Sequence, residues 1–208
     1  MKNILLLLTL ASSLQTFAAE PTPAAASTSS PSIGMRLWLG VGSGSLNNGT
    51  STYTPAVVSL GYDFNFGSEL QWIAGVRFEG IATSETSNDP NVGNVHRNGS
   101  LVSGGYFLVP HLLYAKVSLG IGAPTASGTF ASNAYNFMAG ASVGIRFKVA
   151  GSFNGGLELE YQSFGSTSCA QNYSIPGFTS CPSIPSANLV ALNAIFGFDL
   201  GRSHDENH

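Results

Sequence analysis

From Ile33 to Leu200 the chain repeats one pattern: apolar side chains at every second position, with ionised side chains confined to the positions between. The stretch ASVGIRFKVA, residues 141–150, puts Ala141, Val143, Ile145, Phe147 and Val149 on one face of an extended strand. Ser142, Gly144, Arg146 and Lys148 fall on the other. A period of two is that of a strand whose faces meet different surroundings. Similar segments lie near 33–43, 54–66, 69–82, 100–109, 112–122, 135–149, 155–165 and 188–200, with no competing helical period.

Two all-β architectures fit such a pattern. In a water-soluble sandwich the apolar faces pack inward, whereas in a membrane barrel they face lipid and the charges point into the lumen. The connections favour the barrel. GSGSLNNGTS, SETSNDPNVGNVHRN, APTASGTFASNA and the stretch after Phe164 are long and polar, and they alternate with the tight links GS at 67, VPH at 109 and AGSFN at 150. Greek-key sandwiches rarely alternate in this way; outer-membrane barrels do, with short periplasmic turns and long external loops. Strands of about 11 residues at about 3.3 Å each, tilted by about 40°, cover the apolar thickness of that membrane.

The charges sharpen the choice. Arg36, Asp63, Glu69, Arg77, Glu79, Lys116, Arg146, Lys148, Glu158, Glu160 and Asp199 all take the parity opposite the apolar run. Their companions there are mostly Gly, Ser, Asn and Gln, which suit a crowded lumen and make a poor solubilising surface. Only 9% of the chain is charged, against about a quarter in ordinary soluble domains. Five cations and six anions among these eleven nearly cancel, as groups forced to pair in a confined interior should. Tyr62, Phe64, Phe66, Trp72, Tyr106, Phe147, Phe196 and Phe198 share the apolar face near the short-turn ends, where an interfacial girdle belongs.

The ends read separately. MKNILLLLTLASSLQTFAAE combines Lys2, an apolar run from Ile4 to Leu10, and Thr16 and Ala18 at the minus-three and minus-one positions, which predicts a signal peptide over 1–18. The Pro-, Ala- and Ser-rich stretch 19–31 is expected to be a flexible leader. The barrel is expected over 32–201, followed by a polar tail, 202–208. With a net charge of -3 and eight Lys plus Arg, no basic patch for nucleic acid is available.

The segments IGMRLWLGVG, ASVGIRFKVA and LNAIFGFDLG carry a resemblance to the small eight-stranded outer-membrane barrels, the group containing OmpX and the membrane domain of OmpA. It covers residues 32–200 and rests on pattern and length. It implies an eight-stranded antiparallel up-and-down transmembrane barrel, outer-membrane lipid or lipopolysaccharide around it, contact with the assembly machinery, and a monomer. It transfers no catalytic motif. Such chains often finish on an aromatic residue, whereas GRSHDENH follows the last strand here, so recognition would fall to Phe196 and Phe198.

Within the lumen, Arg36, Asp63, Arg77, Glu79, Lys116, Arg146, Lys148, Glu158, Glu160 and Asp199 are expected to form an ion network. Counting back across the turn AGSFN pairs Arg146 with Glu158, and Arg36 should approach Asp199 if strand eight closes the barrel beside strand one. Such a network plugs the barrel, and a narrow small-solute channel is the alternative. A lipid-modifying barrel enzyme would need a His beside a Ser or carboxylate; His96, His111, His204 and His208 show no such spacing, and HDENH is read as a polar end. No catalytic residue, cofactor or metal is assigned. The triplets at Asn48, Asn98 and Asn172 are treated as chance products of polar loops.

Two cysteines in an exported chain allow one bridge, Cys169 to Cys181, which would contribute about 3 kcal/mol by closing a short loop. It would staple Tyr173, Ile175 and Phe178 either as a tip for an extracellular ligand or surface, or as a lid over the barrel mouth. The sequence thus predicts a non-enzymatic outer-membrane barrel with a structural or adhesive role.

Overall fold

The computed structural model describes residues 33–67, 69–86, 94–126, 135–167 and 184–200. The predicted signal peptide, leader and tail, the Cys169–Cys181 bridge, and Tyr173, Ile175, Phe178, His204 and His208 lie outside these residues. Ten strands are described and no helix: β1 (Gly34–Asn47), β2 (Thr52–Tyr53), β3 (Ala56–Phe66), β4 (Trp72–Thr86), β5 (Asn94–Val109), β6 (Leu113–Gly122), β7 (Thr125–Ala126), β8 (Asn136–Ala150), β9 (Phe153–Phe164) and β10 (Ala187–Leu200). β2 and β7 are two-residue pieces that extend the wall at the long-loop end, pairing with β1 and β5. The other eight form an up-and-down antiparallel sheet that closes on itself where β1 pairs with β10, from Met35↔Leu200 to Asn47↔Asn188. Closure leaves no sheet edge.

Alternation dictates which way each side chain points. Along β3 the residues Val57, Ser59, Asp63 and Asn65 are buried while Val58, Leu60, Phe64 and Phe66 are exposed. Along β10, Leu189, Ala191, Asn193 and Ile195 are buried while Val190, Leu192, Phe196 and Phe198 are exposed. The outside of the wall is therefore apolar: Val117 is 65% exposed, Val102 61% and Leu192 55%. The predicted aromatic band is present at the short-turn end, where Trp72 meets Tyr106 edge to face at 4.9 Å and the Tyr106 hydroxyl donates to Gln71 Oε1 at 2.7 Å. Tyr135, Phe137 and Tyr161 are also exposed, toward the long-loop end.

The short turns need unusual backbone. Gly67 and Gly151 take φ of 102° and 53°, values that glycine adopts without penalty. Between β5 and β6, Leu112 N–H donates to Val109 O at 3.0 Å, with Pro110 and His111 at the centre and His111 at φ 58°. Positive φ at the third position is the requirement of a type II turn, and proline at the second favours it.

The strands run further than hydropathy indicates. Residues 84–98 are predicted as a polar loop, yet β4 continues to Thr86 and β5 begins at Asn94. His96, expected in that loop, is a strand residue paired with Thr125. Likewise β1 extends to Asn47, inside the first expected loop.

Candidate functional site: the barrel interior

Glycine on the inner face makes room for large side chains. A Cβ at Gly61 would fall within the Trp38 indole, and one at Gly197 would fall against the Arg36 guanidinium. With that space the interior takes ten ionisable groups: Arg36, Arg77, Arg97, Lys116 and Arg146 against Asp63, Glu79, Glu85, Glu158 and Glu160, all buried. Five balance five.

The centre is organised on Arg77. Its guanidinium contacts Glu158 Oε1 at 3.1 Å, Glu79 Oε2 at 3.3 Å, and Glu160 Oε1. Lys116 Nζ reaches the other oxygen of Glu158 at 3.0 Å, and the Tyr114 hydroxyl donates to that same oxygen at 2.9 Å. Gln162 and Asn193 donate to Glu160 at 2.6 Å and 3.0 Å. Lys116 also lies over the rings of Trp38 and Tyr114, at 5.1 Å and 5.0 Å. Partners in this number are what the buried Glu158 and Glu160 carboxylates need to hold charge away from water.

Two further layers flank the centre. Toward the long loops, Leu46, Val57, Ile81, Leu101, Met138, Phe164, Leu189 and their small neighbours pack as one apolar cluster inside the wall. Beyond it Arg97 grips Glu85 with two parallel bonds, and Asn48 adds a third. Toward the short turns lie Asp63, Arg146 and Arg36, with Arg146 stacked 4.8 Å over Phe107. Trp38, Arg77, Leu101, Ser103, Lys116, Ser118 and Ser142 line a cavity of about 10 Å³, room for about one water molecule.

Several expected placements are corrected. Lys148 and Asp199 keep the inward parity but sit in the last residues at the short-turn rim, where the mouth opens to solvent and both are exposed. Glu69 is an exposed turn residue rather than a strand residue. Arg146 does not pair with Glu158: the tight turn at Gly151 and Ser152, closed by the pair Ala150↔Phe153, and the bulge between Lys148 and Ala150 each shift the register by one residue, which sets Arg146 opposite Gly156 and Glu158 opposite Gly144. The nearest carboxylate to Arg146 is Asp63, at 3.8 Å. Arg36 and Asp199 are register partners, as predicted, yet form no ion pair because Asp199 lies at the open rim. Asp63, Arg77, Glu79, Lys116, Glu158 and Glu160 are buried in the interior.

Sequence reasoning missed Glu85 and Arg97, the apolar cluster, and the neutral partners Tyr114, Gln162 and Asn193. Parity was the available signal, since Glu85 continues the series 77, 79, 81 and Arg97 precedes Leu101 in step. His96 and His111 are exposed and stand at opposite ends of the barrel. Among the described residues no group of three His, Cys, Asp or Glu is placed to hold a metal.

Apolar outside, ionised inside and closed all round, the chain is an all-β barrel of eight antiparallel spanning strands. No known protein family and no curated protein matches the sequence. Among solved structures it is similar to the crystal structure of Neisserial surface protein A (NspA), with a TM-score of 0.57 over 83% of this chain and 100% of that one. Identity is 9%, so the likeness is one of fold.

Proposed function

We propose that this chain is a non-enzymatic integral protein of the outer membrane of a Gram-negative cell, exported by its signal peptide, with a plugged lumen and external loops that make its surface contacts. The observation that carries this is the inverted polarity of the wall: ten ionisable groups face inward while Val, Leu, Ile and Phe cover the outside. Water would reward the opposite arrangement, and acyl chains reward this one. The up-and-down order places all four long connections on one side, which in this reading is the cell exterior. Kinship with the OmpX and OmpA group belongs to the same proposal.

The plug has two parts. The Arg77 centre narrows the cross-section with paired charges, and the apolar cluster around Leu46 and Leu189 supplies the dry seal, offering an ion nothing to replace its hydration. An eight-stranded wall encloses little more than side chains.

Membrane fractionation with heat-modifiable electrophoresis tests the location: the folded chain is expected in the outer-membrane fraction, migrating faster unboiled than boiled. Recovery in the soluble fraction ends the proposal. Planar-bilayer recording tests the plug, with background conductance expected and steady conductance favouring a channel.

A further inference from the structure

The inner face of the barrel is lopsided. β9 sends Glu158, Glu160 and Gln162 into the centre, whereas β5, β6 and β8 offer Ser103, Ser118 and Ser142 there, with Gly140 beside them. Ser103 and Ser118 are register partners, Gly140 is the next partner of Ser118, and Ser142 is the partner of Lys116. Short side chains on this wall leave the cavity of about 10 Å³, which the three serines line with Arg77, Lys116 and Trp38. Among the described residues none of the three hydroxyls has a hydrogen-bond partner, yet all three stay open to the cavity. The Ser59 hydroxyl, inward on β3, is by contrast unpartnered and shut off.

We propose that this cavity binds one internal water molecule, held by the hydroxyls of Ser103, Ser118 and Ser142 as a fixed part of the Arg77 centre. A buried water needs about two to four polar partners, and each hydroxyl can donate to its oxygen or accept from its protons. The space admits about one such molecule. The surrounding charges decide against an ion. Arg77 and Lys116, in the lining, repel a cation. A halide would add negative charge beside Glu79, Glu158 and Glu160, which already outnumber the two cations. An empty space would strand three hydroxyls, and cavities that stay dry are walled by apolar side chains. The water ties β5, β6 and β8 to the ion pairs that β4 and β9 supply. It also makes the centre wet, which leaves the exclusion of ions to the apolar cluster nearer the long loops. The site needs no particular surroundings for the barrel, so it stands or falls separately from the outer-membrane reading.

The test uses the full chain folded in detergent micelles and reads the magnetic relaxation dispersion of solvent oxygen nuclei, which registers waters held long enough to tumble with the protein. Ser118→Val replaces the hydroxyl with a methyl group and adds a second, filling the space. It should remove about one long-lived water relative to the parent and lower the urea unfolding midpoint, because the other two hydroxyls lose their partner. If that variant shows no heat-modifiable band, Ser103→Ala/Ser142→Ala, which takes away two of the water's partners and adds no bulk, should show the same loss of signal. A dispersion that matches the parent in the variant that folds overturns the site. So does a midpoint raised by Ser118→Val, since added methyl groups stabilise only where the space was empty.

Discussion

Arg97 lies on Glu85 in a two-pronged grip, Nε to Oε2 at 2.9 Å and Nη2 to Oε1 at 2.8 Å, with both side chains 1% exposed. The pair joins three connections at the barrel mouth. Asn48, from the β1–β2 link, donates to Glu85 at 3.2 Å, and Arg97 donates to Pro185 O, at the entry to β10, at 3.1 Å. Phe164 supports the guanidinium from the apolar side at 5.4 Å.

Removing one member therefore costs more than removing both. Glu85→Gln or Arg97→Met should each lower stability by about 3–5 kcal/mol, the cost of stranding a buried charge. The double variant Glu85→Met/Arg97→Met should recover part of that loss. Urea unfolding of the chain in lipid vesicles measures all three, and strictly additive losses would show that the two residues do not act as a pair.

Charge neutralisation at the centre and polar substitution in the apolar cluster should differ in their effect on conductance. Arg77→Met should destabilise the barrel by about 3–5 kcal/mol and still leave bilayer current at background, since the apolar layer above it stays dry. Leu46→Ser combined with Leu189→Ser should admit water and raise the current. Current appearing in Arg77→Met alone would assign the seal to the ion pairs.

Gly61→Ala should lower stability by about 1–3 kcal/mol through overpacking against Trp38. Gly104→Ala is the control, because a Cβ there meets nothing within 4 Å. Unfolding midpoints of the two variants should separate, and coincident midpoints would place Trp38 elsewhere.

On the outer wall, Val117→Arg should cost about 2–4 kcal/mol if the residue lies near the bilayer midplane. Lys148→Met, at the open rim, should change stability by less than about 0.5 kcal/mol. An innocuous Val117→Arg would argue that water, not acyl chains, surrounds the wall.

The sequence by itself determined the eight spanning strands, the inside and outside of each, and the kind of residue inside. A period of two acts within each strand and needs no knowledge of its neighbours: Val143, Ile145 and Phe147 face one way and Arg146 the other wherever the strand is placed. The signal depends on the contrast between an apolar outside and a polar lumen. Toward the long loops the outer face turns polar as well, as at His96, Asn98 and Ser100, so alternation fades where β4 and β5 continue to Glu85 and Arg97, and those residues read as loop. Tertiary structure decided which charges meet. Arg77 finds Glu158 and Glu160 across the lumen, more than eighty residues away along the chain, and barrel closure and stagger, not local spacing, set that distance. The tight turn after Ala150 and the bulge near Lys148 together moved Arg146 two residues of register from Glu158, and neither the turn nor the bulge is marked in the alternation of the strands themselves.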